Sequence, residues 1–229
     1  MEPKRLKNPT IGADYQRDWP AYFDAVRGLP PRETLTRALD ELTSNHFAAH
    51  AHADALAIDI GCGEGRDSRE IIRRLPLVRL LATDANEHGL SQARAGVPQA
   101  ALSRVTIQAC PMERMAQQLE NLGREAHVVL VNASFALPFC EPQAFPALWA
   151  WIWRTLAPGG VFAGQLFGDR DEWATIDPKR HHSRADVESL LGGQETLWLD
   201  EAEKVGPDAM GGTKQHHVFH VVARKPRGG

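Results

Sequence analysis

The stretch that decides the fold is residues 57–68, which read Ala57-Ile-Asp-Ile-Gly-Cys-Gly-Glu-Gly-Arg-Asp-Ser68. It begins as an apolar strand and ends as the first turn of a helix. Gly61, Gly63 and Gly65 let the backbone turn sharply and approach a ligand closely. The start of the following helix offers N–H groups that have no acceptor within the helix. This pattern predicts a ligand-binding turn between a strand and a helix, and the alternative is a glycine-rich turn that binds nothing.

A carboxylate at the end of the next strand favours the ligand-binding interpretation. Asp84 follows the apolar run 78–83 and lies 23 residues after Gly61. In open α/β sheets an acidic residue at this position accepts hydrogen bonds from the hydroxyls of a ribose. The spacing therefore predicts a nucleoside-containing ligand at the carboxyl ends of the strands.

The charges around the turn indicate which nucleoside it binds. A dinucleotide fingerprint has the spacing G-x-G-x-x-G, whereas here Arg66 stands where the third glycine would be. Asp59 and Glu64 would repel a pyrophosphate and suit a ligand that carries positive charge. The G-x-x-x-x-G-K-[ST] pattern of a phosphate-binding loop is also missing from this turn.

Short apolar runs alternate with helical patterns from residue 55 onward. Such alternation predicts an α/β fold of the Rossmann-like, doubly wound kind, with a mostly parallel seven-stranded sheet. The last two strands have only a loop between them, so we expect an antiparallel edge strand. The predicted strands are 55–60, 78–84, 105–109, 128–133, 161–167, 196–202 and 217–224, and the predicted helices are 33–48, 66–75, 87–95, 112–121, 142–156 and 184–191.

Composition excludes several classes of protein. The chain has 229 residues, 43% of them hydrophobic, and a net charge of −3 with scattered basic residues. That balance disfavours nucleic-acid and membrane partners. The first ten residues carry no apolar run typical of a signal peptide, and no apolar stretch is long enough to span a bilayer. Three widely spaced cysteines suit a reducing compartment, so we expect a cytoplasmic protein.

Three segments resemble the class I S-adenosylmethionine-dependent methyltransferases over roughly residues 55–225. These segments are Asp59-Ile-Gly-Cys-Gly-Glu-Gly65, Leu80-Leu-Ala-Thr-Asp84 and Leu156-Ala-Pro-Gly-Gly160. Residues 132–140 and 165–170 are similar to small bacterial enzymes near the tellurite-resistance and thiopurine methyltransferases. The resemblance implies a methyltransferase catalytic domain at 51–229, preceded by an N-terminal helical lid at 1–50 on the substrate side.

The resemblance also implies a site for S-adenosyl-L-methionine, with S-adenosyl-L-homocysteine as the product. The glycines would pass under the methionine part, Asp59 would face its amine and Asp84 would hold the ribose. Arg32 would reach the carboxylate. Cys110 stands where the family commonly has an acid beside the adenine, so Met112 and Glu113 replace it as candidates. The full predicted set is Arg32, Asp59, Gly61, Cys62, Gly63, Gly65, Asp84, Ala85, Met112, Glu113 and Asn132.

Aromatic residues cluster where the resemblance places the methyl acceptor. Their burial favours a lid that packs on the core, and the alternative is a wall for an apolar or planar acceptor. In the helix at 142–156, Trp151 lies off the apolar face and is interpreted as a contact surface. The candidate substrate-binding residues are Tyr15, Trp19, Tyr22, Phe135, Phe139 and Trp173.

No catalytic residue follows firmly from the sequence, and Asp169, His181 and His182 are weak candidates. A general base is needed only if the acceptor arrives protonated. Ten histidines raise the question of a metal site, but His46 and His50 have helical spacing without H-E-x-x-H or cysteine partners. We therefore expect no metal.

These features together predict methyl transfer to a small molecule, and the oligomeric state stays open. The alternatives are a methyltransferase that acts on a peptide or protein, a nicotinamide-dependent oxidoreductase, and a non-catalytic nucleoside-binding module. Nucleic-acid acceptors are disfavoured because Asn132-Ala-Ser-Phe135 keeps only the asparagine and an aromatic of the N-P-P-Y pattern.

Overall fold

The structure, a computed structural model, describes residues 18–44, 55–175, 181–207 and 212–227. Its strands are β1 Ala55–Ile60, β2 Arg79–Asp84, β3 Val105–Ala109, β4 His127–Ala133, β5 Leu156–Gly168, β6 His181–His182, β7 Glu195–Pro207 and β8 Thr213–Arg224. Its helices are α1 Trp19–Val26, α2 Glu33–Ser44, α3 Arg66–Arg74, α4 Glu87–Ala95, α5 Met112–Gln118, α6 Leu122–Glu125, α7 Phe145–Thr155 and α8 Arg184–Leu190. Short 3₁₀ turns lie at Gln99–Arg104, Leu137–Phe139 and Glu172–Thr175.

One mixed sheet runs through the molecule in the order β3–β2–β1–β4–β5–β8–β7, with the short β6 beside β5. Strands β1 to β5 pair in parallel. Strand β8 is antiparallel to both β5 and β7. The prediction of a mostly parallel sheet with an antiparallel pair at one edge is therefore confirmed, and β7 lies outside β8. The two-residue strand β6 was not predicted.

The sheet is covered by helices on both faces, as the alternating strands require. In β1, Leu56 and Ile58 belong to a core with α5, α7 and α8. Ala55 and Ala57 point to the other face and belong to a core with α2, α3 and α4. Successive residues of a strand point to opposite faces, so a strand that is apolar throughout is buried on both sides. The doubly wound arrangement is confirmed.

The N-terminal segment contributes two helices with different surroundings. Helix α2 buries Leu35, Leu39 and Leu42 in the core and packs against β5 and β8. Helix α1 begins at the Asp18 cap, whose side chain accepts a hydrogen bond from the Ala21 N–H, and packs near α4. The separation of residues 1–50 from the catalytic domain stays a prediction, because the described residues omit 45–54.

Helix α7 is more deeply buried than its periodicity indicated. Trp151 is 0% exposed, and its indole N–H donates to the carbonyl of Leu119 at 3.0 Å. The prediction that Trp151 marks a contact surface is wrong, because α5 and α6 cover α7 on a second side. Among the described helices, none is long and apolar enough to cross a membrane.

Candidate functional site

A cleft of about 260 Å³ opens at the carboxyl ends of the parallel strands. It lies where the strand order reverses, because β2 and β4 flank β1 on opposite sides. Connections that leave such a point in opposite directions create a crevice at the sheet edge. The cleft is lined by the glycine turn, the end of β2, the start of α5, the segment after β4, and α1.

The path of the glycine turn leaves no room for a side chain at Gly61, Gly63 or Gly65. Gly61 and Gly63 have φ of +64° and +53°, in the left-handed region. A Cβ on Gly61 would lie 2.6 Å from the Ala136 Cβ, and one on Gly63 would lie 2.7 Å from the Phe23 ring. Cys62 lines the cleft beside them, whereas Gly65 caps α3 and packs against Ala93 outside it.

Two buried carboxylates share one amide at the base of the cleft. Asn132 donates from Nδ2 to Asp59 Oδ1 at 2.8 Å and to Asp67 Oδ2 at 3.4 Å. Ser68 Oγ donates to the other oxygen of Asp59 at 2.5 Å. Burial, and then the negative charge of Asp67, raise the pKa of Asp59 to about 7. Asn132 itself does not line the cleft and instead orients the carboxylate that does.

Asp84 presents its carboxylate from the end of β2. Its two oxygens accept the backbone N–H groups of Gly63 at 2.9 Å and of Asn86 at 2.8 Å. Burial raises the pKa of this carboxyl group. The next residue, Ala85, also lines the cleft. The chain thus fixes an acceptor group at the position where the spacing predicted a ribose contact.

The wall predicted for the adenine is formed by residues after β3. Cys110, Met112 and Glu113 line the cleft there. The Cys110 thiol donates to Gln118 Oε1 at 3.2 Å, and Glu113 Oε1 accepts the backbone N–H of Glu141 at 3.2 Å. Both polar groups are therefore engaged with the protein, which leaves Met112 as an apolar surface toward the cleft.

Arg32 lies one layer behind the lining. Its backbone N–H donates to Asp67 Oδ1 at 3.0 Å, and its guanidinium carbon is 4.5 Å from the centre of the Phe135 ring. Burial, and then the charge of Arg66, lower its pKa. Its Nε is buried and has no hydrogen-bond partner among the described residues. A buried guanidinium nitrogen without a partner is suited to an anionic group.

Four of the predicted aromatic residues line the cleft, namely Trp19, Tyr22, Phe135 and Phe139. The Trp19 ring contacts that of Phe139 edge-on at 5.0 Å. Tyr15 lies outside the described residues. Trp173 lies away from the cleft, with the Lys214 ammonium 3.6 Å from its ring centre.

The candidate catalytic residues lie elsewhere. The described lining of the cleft includes none of Asp169, His181 and His182. The His181 ring stacks on Phe167 at 5.7 Å, and the His182 ring lies 5.5 Å from that of Phe145. Burial lowers the pKa of His182. Asp169 is exposed in the turn after β5. A catalytic role for these residues stays untested.

In the ranges that the structure describes, no three side chains of His, Cys, Asp or Glu lie together as a metal site would require. His46, His50 and His52 lie outside those ranges.

The predicted site set omitted several lining residues, of which Phe23 and Asp67 make the most informative contacts. Phe23 stacks on Trp19 at 5.9 Å and covers Gly63. Asp67 is an acid in the first turn of α3, where it resembles an ordinary helix-dipole residue. Its contacts with Arg32 and Asn132 join segments that are far apart in the chain, so local patterns could not reveal them.

The balance of charge in the cleft is strongly acidic. Arg66 is the one basic residue among the side chains that line it in the described chain. The acidic residues in the lining are Asp59, Glu64, Asp67, Asp84 and Glu113. Such a site disfavours a pyrophosphate and favours a ligand with positive charge.

Comparisons with known proteins agree with this geometry. Residues 57–160 match a family model described as "Methyltransferase domain". Several relatives are named trans-aconitate 2-methyltransferase. That of Variovorax paradoxus is 30% identical, and the match covers 52% of this chain and 40% of the relative. That of Yersinia pestis is 26% identical, and the match covers 80% of this chain and 59% of the relative. The chain therefore spans about half the length of the curated relatives that it matches.

The fold has relatives among solved structures as well. One is the 1,6-didemethyltoxoflavin-N1-methyltransferase of Burkholderia thailandensis, solved with bound 1,6-didemethyltoxoflavin and S-adenosylhomocysteine. It has a TM-score of 0.58 and 20% identity, and the match covers 90% of this chain and 84% of that one. The narrower resemblance to tellurite-resistance and thiopurine enzymes stays a prediction. Residues 57–160 are therefore similar to methyltransferase domains, and the chain shares its fold with solved methyltransferases.

Proposed function

We propose that this protein transfers a methyl group from S-adenosyl-L-methionine to a small-molecule acceptor and releases S-adenosyl-L-homocysteine. The observation that carries the proposal is the acidic cleft at the strand-order reversal, with Asp59 and Asp84 beside the glycine turn. A sulfonium and an amine both carry positive charge, so an acidic, partly buried cleft attracts the cofactor.

The side chains of the cleft fit the parts of this cofactor. An ionised carboxylate offers about four lone-pair sites. The backbone N–H groups of Gly63, Ala85 and Asn86 engage Asp84, which leaves capacity for a ribose hydroxyl. Asp59 provides negative charge for the amine. The buried Nε of Arg32 is available for the carboxylate, and Met112 offers an apolar surface to the adenine.

Positioning is the main task of the protein in such a reaction. The bound cofactor supplies a methyl group that is already activated as part of a sulfonium. Trp19, Tyr22 and Phe23 of α1 cover the cleft and exclude water from it. Holding two reactants in line in a dry site lowers the barrier without an acid or a metal. We therefore assign residues 1–50 the role of a lid.

Phe135 and Phe139 extend the aromatic wall beyond the cofactor residues and suit a small apolar or planar acceptor. Trans-aconitate, the compound in the name of the relatives, is planar but anionic, so it is the anionic acceptor to test beside neutral planar compounds. A peptide acceptor is the competing outcome of that test. The three cysteines are buried and form no disulfide in the described part of the chain, which supports a cytoplasmic location. We propose no nucleic-acid or membrane partner.

Calorimetry with S-adenosylhomocysteine and with NADH tests the cofactor assignment. We expect saturable binding of S-adenosylhomocysteine alone. Asp84→Ala should weaken it about 10- to 100-fold, the usual contribution of hydrogen bonds to a charged group. Asp200→Ala, which removes an exposed carboxylate from β7, serves as the matched control. Binding of NADH, or no binding of S-adenosylhomocysteine at millimolar concentration, would refute the proposal.

A further inference from the structure

The segment after β4 contains an unusual backbone conformation. Phe135 has φ of +51°, and in the described part of the chain no other residue except glycine has a positive φ. For a residue with a Cβ this conformation costs about 1–2 kcal/mol, so the surrounding structure has to impose it. Phe135 lines the cleft, which places the strained residue at the proposed site of methyl transfer.

Gln165 contacts this segment from β5. Its side-chain Oε1 accepts the backbone N–H of Phe135 at 2.7 Å. Its Nε2 donates to Thr34 Oγ1 at 2.8 Å, near the start of α2. Gln165 is 1% exposed and Thr34 is 0% exposed. Loss of the amide would therefore remove the acceptor of the partly buried Phe135 N–H and the donor to the buried Thr34 hydroxyl.

Both contacts of Gln165 lead to the surroundings of Arg32. Thr34 lies in the first turn of α2, two residues after Arg32. The Phe135 ring lies under the guanidinium, 4.5 Å away. On another side of the ring, His220 contacts it edge-on at 6.2 Å. The buried amide of Gln165 therefore contacts both the first turn of α2, next to Arg32, and the backbone of Phe135, whose ring packs against the Arg32 guanidinium.

We propose that Gln165 is a positioning residue, which holds Phe135 and the start of α2 so that Arg32 can bind the amino-acid end of the cofactor. This inference rests on the proposed function, because it assigns Arg32 to the cofactor carboxylate. Gln165 touches neither cofactor nor acceptor and acts through Phe135 and Thr34. It also links the wall of the acceptor site to the cofactor site across β5.

Two nucleosides distinguish positioning from a general effect on stability. S-adenosylhomocysteine carries the amino-acid end, whereas 5′-methylthioadenosine shares the adenosine and the thioether but lacks that end. Gln165→Met keeps the length of the side chain and removes both contacts. We expect it to weaken binding of S-adenosylhomocysteine about tenfold and binding of 5′-methylthioadenosine less than about twofold, since one or two neutral hydrogen bonds are lost.

Thr34→Val is the milder variant, because it removes only the hydroxyl that receives the amide of Gln165. We expect a change in the same direction, about threefold on S-adenosylhomocysteine alone. Trp151→Phe is the control, since it loses a buried hydrogen bond to Leu119 on the opposite face of the sheet. Its ratio of the two dissociation constants should equal that of the unsubstituted protein.

The outcomes separate this inference from the proposed function. If the unsubstituted protein does not bind S-adenosylhomocysteine, the proposed function fails and the role of Gln165 fails with it. If it binds, and both Gln165→Met and Thr34→Val either leave the ratio unchanged or weaken both nucleosides equally, only the positioning role is overturned. Thermal unfolding measures whether each variant is folded. If Gln165→Met is unfolded, the result for Thr34→Val alone decides the outcome.

Discussion

Asp59 is a buried acid whose removal should stabilise the protein and weaken its cofactor binding. In Asp59→Asn the new carbonyl oxygen can still accept the amide of Asn132, and the new amide can donate to Ser68 Oγ. Both hydrogen-bond positions are therefore kept, while the negative charge beside Asp67 is removed. The perturbation isolates the charge of Asp59 from its packing.

The magnitude follows from the pKa of Asp59, which burial and the charge of Asp67 raise from 3.8 to about 7. Because the folded chain binds this proton more tightly than the unfolded chain, the stability of the protein falls as pH rises from about 4 to about 7. At 1.36 kcal/mol for each pKa unit, the free energy of unfolding is reduced by about 4 kcal/mol above pH 7 and by about 2 kcal/mol at pH 5.

Urea denaturation followed by tryptophan fluorescence measures this difference at pH 5 and pH 8. Asp59→Asn should gain up to about 4 kcal/mol at pH 8 and about half of that at pH 5. Glu120→Gln removes an exposed charge just after α5 and should show no such pH dependence. An equal gain at both pH values, or a variant that is less stable at pH 8, would refute the reasoning.

The same substitution should impair function, because the charge that destabilises the empty protein attracts the cofactor. Calorimetry at pH 8 should show binding of S-adenosylhomocysteine about 10- to 100-fold weaker in Asp59→Asn, the contribution typical of a hydrogen bond to a charged group. Unchanged affinity would remove Asp59 from the cofactor site. A gain in stability with a loss of binding is the trade-off expected where a strained group serves function.

Two further substitutions test the packing around the cleft and the far end of β5. Gly63→Ala should destabilise the protein by about 1–2 kcal/mol and weaken S-adenosylhomocysteine binding, because the φ of Gly63 is +53° and the added Cβ would lie 2.7 Å from the Phe23 ring. Urea denaturation and calorimetry measure the two effects. A neutral result in both would mean that the turn is not constrained. Lys214→Met should cost about 3–5 kcal/mol by leaving the buried Asp171 carboxylate without its ion-pair partner, and a loss below 1 kcal/mol in urea denaturation would contradict that role.

The parts of the site that were predictable are those encoded within short segments. The glycine turn and Asp84 each follow a strand, and parallel strands bring their carboxyl ends to one edge. The cleft contains Asp59, Gly63 and Asp84 for this reason. The hairpin of β7 and β8 was predictable because no helical pattern separates these strands.

The parts that escaped prediction depend on contacts between distant segments. Gln165 and Thr34 are 131 positions apart, and nothing local distinguishes that glutamine from another polar residue in a strand. Trp151 was misjudged because periodicity shows one apolar stripe and cannot show a second covering element. The surroundings of His181 and Trp173 likewise depend on where the chain goes after β5, which no local pattern specifies.

The Phe23 ring in α1 lies against two glycines at once. A Cβ on Gly63 would meet one edge of the ring at 2.7 Å, and a Cβ on Gly89 would meet the other at 2.8 Å. Whichever glycine is replaced first has to displace the ring, and the second replacement then finds the space already vacated. The energetic effects of changing Gly63 and Gly89 are therefore not additive, although the two residues lie in different elements of the fold.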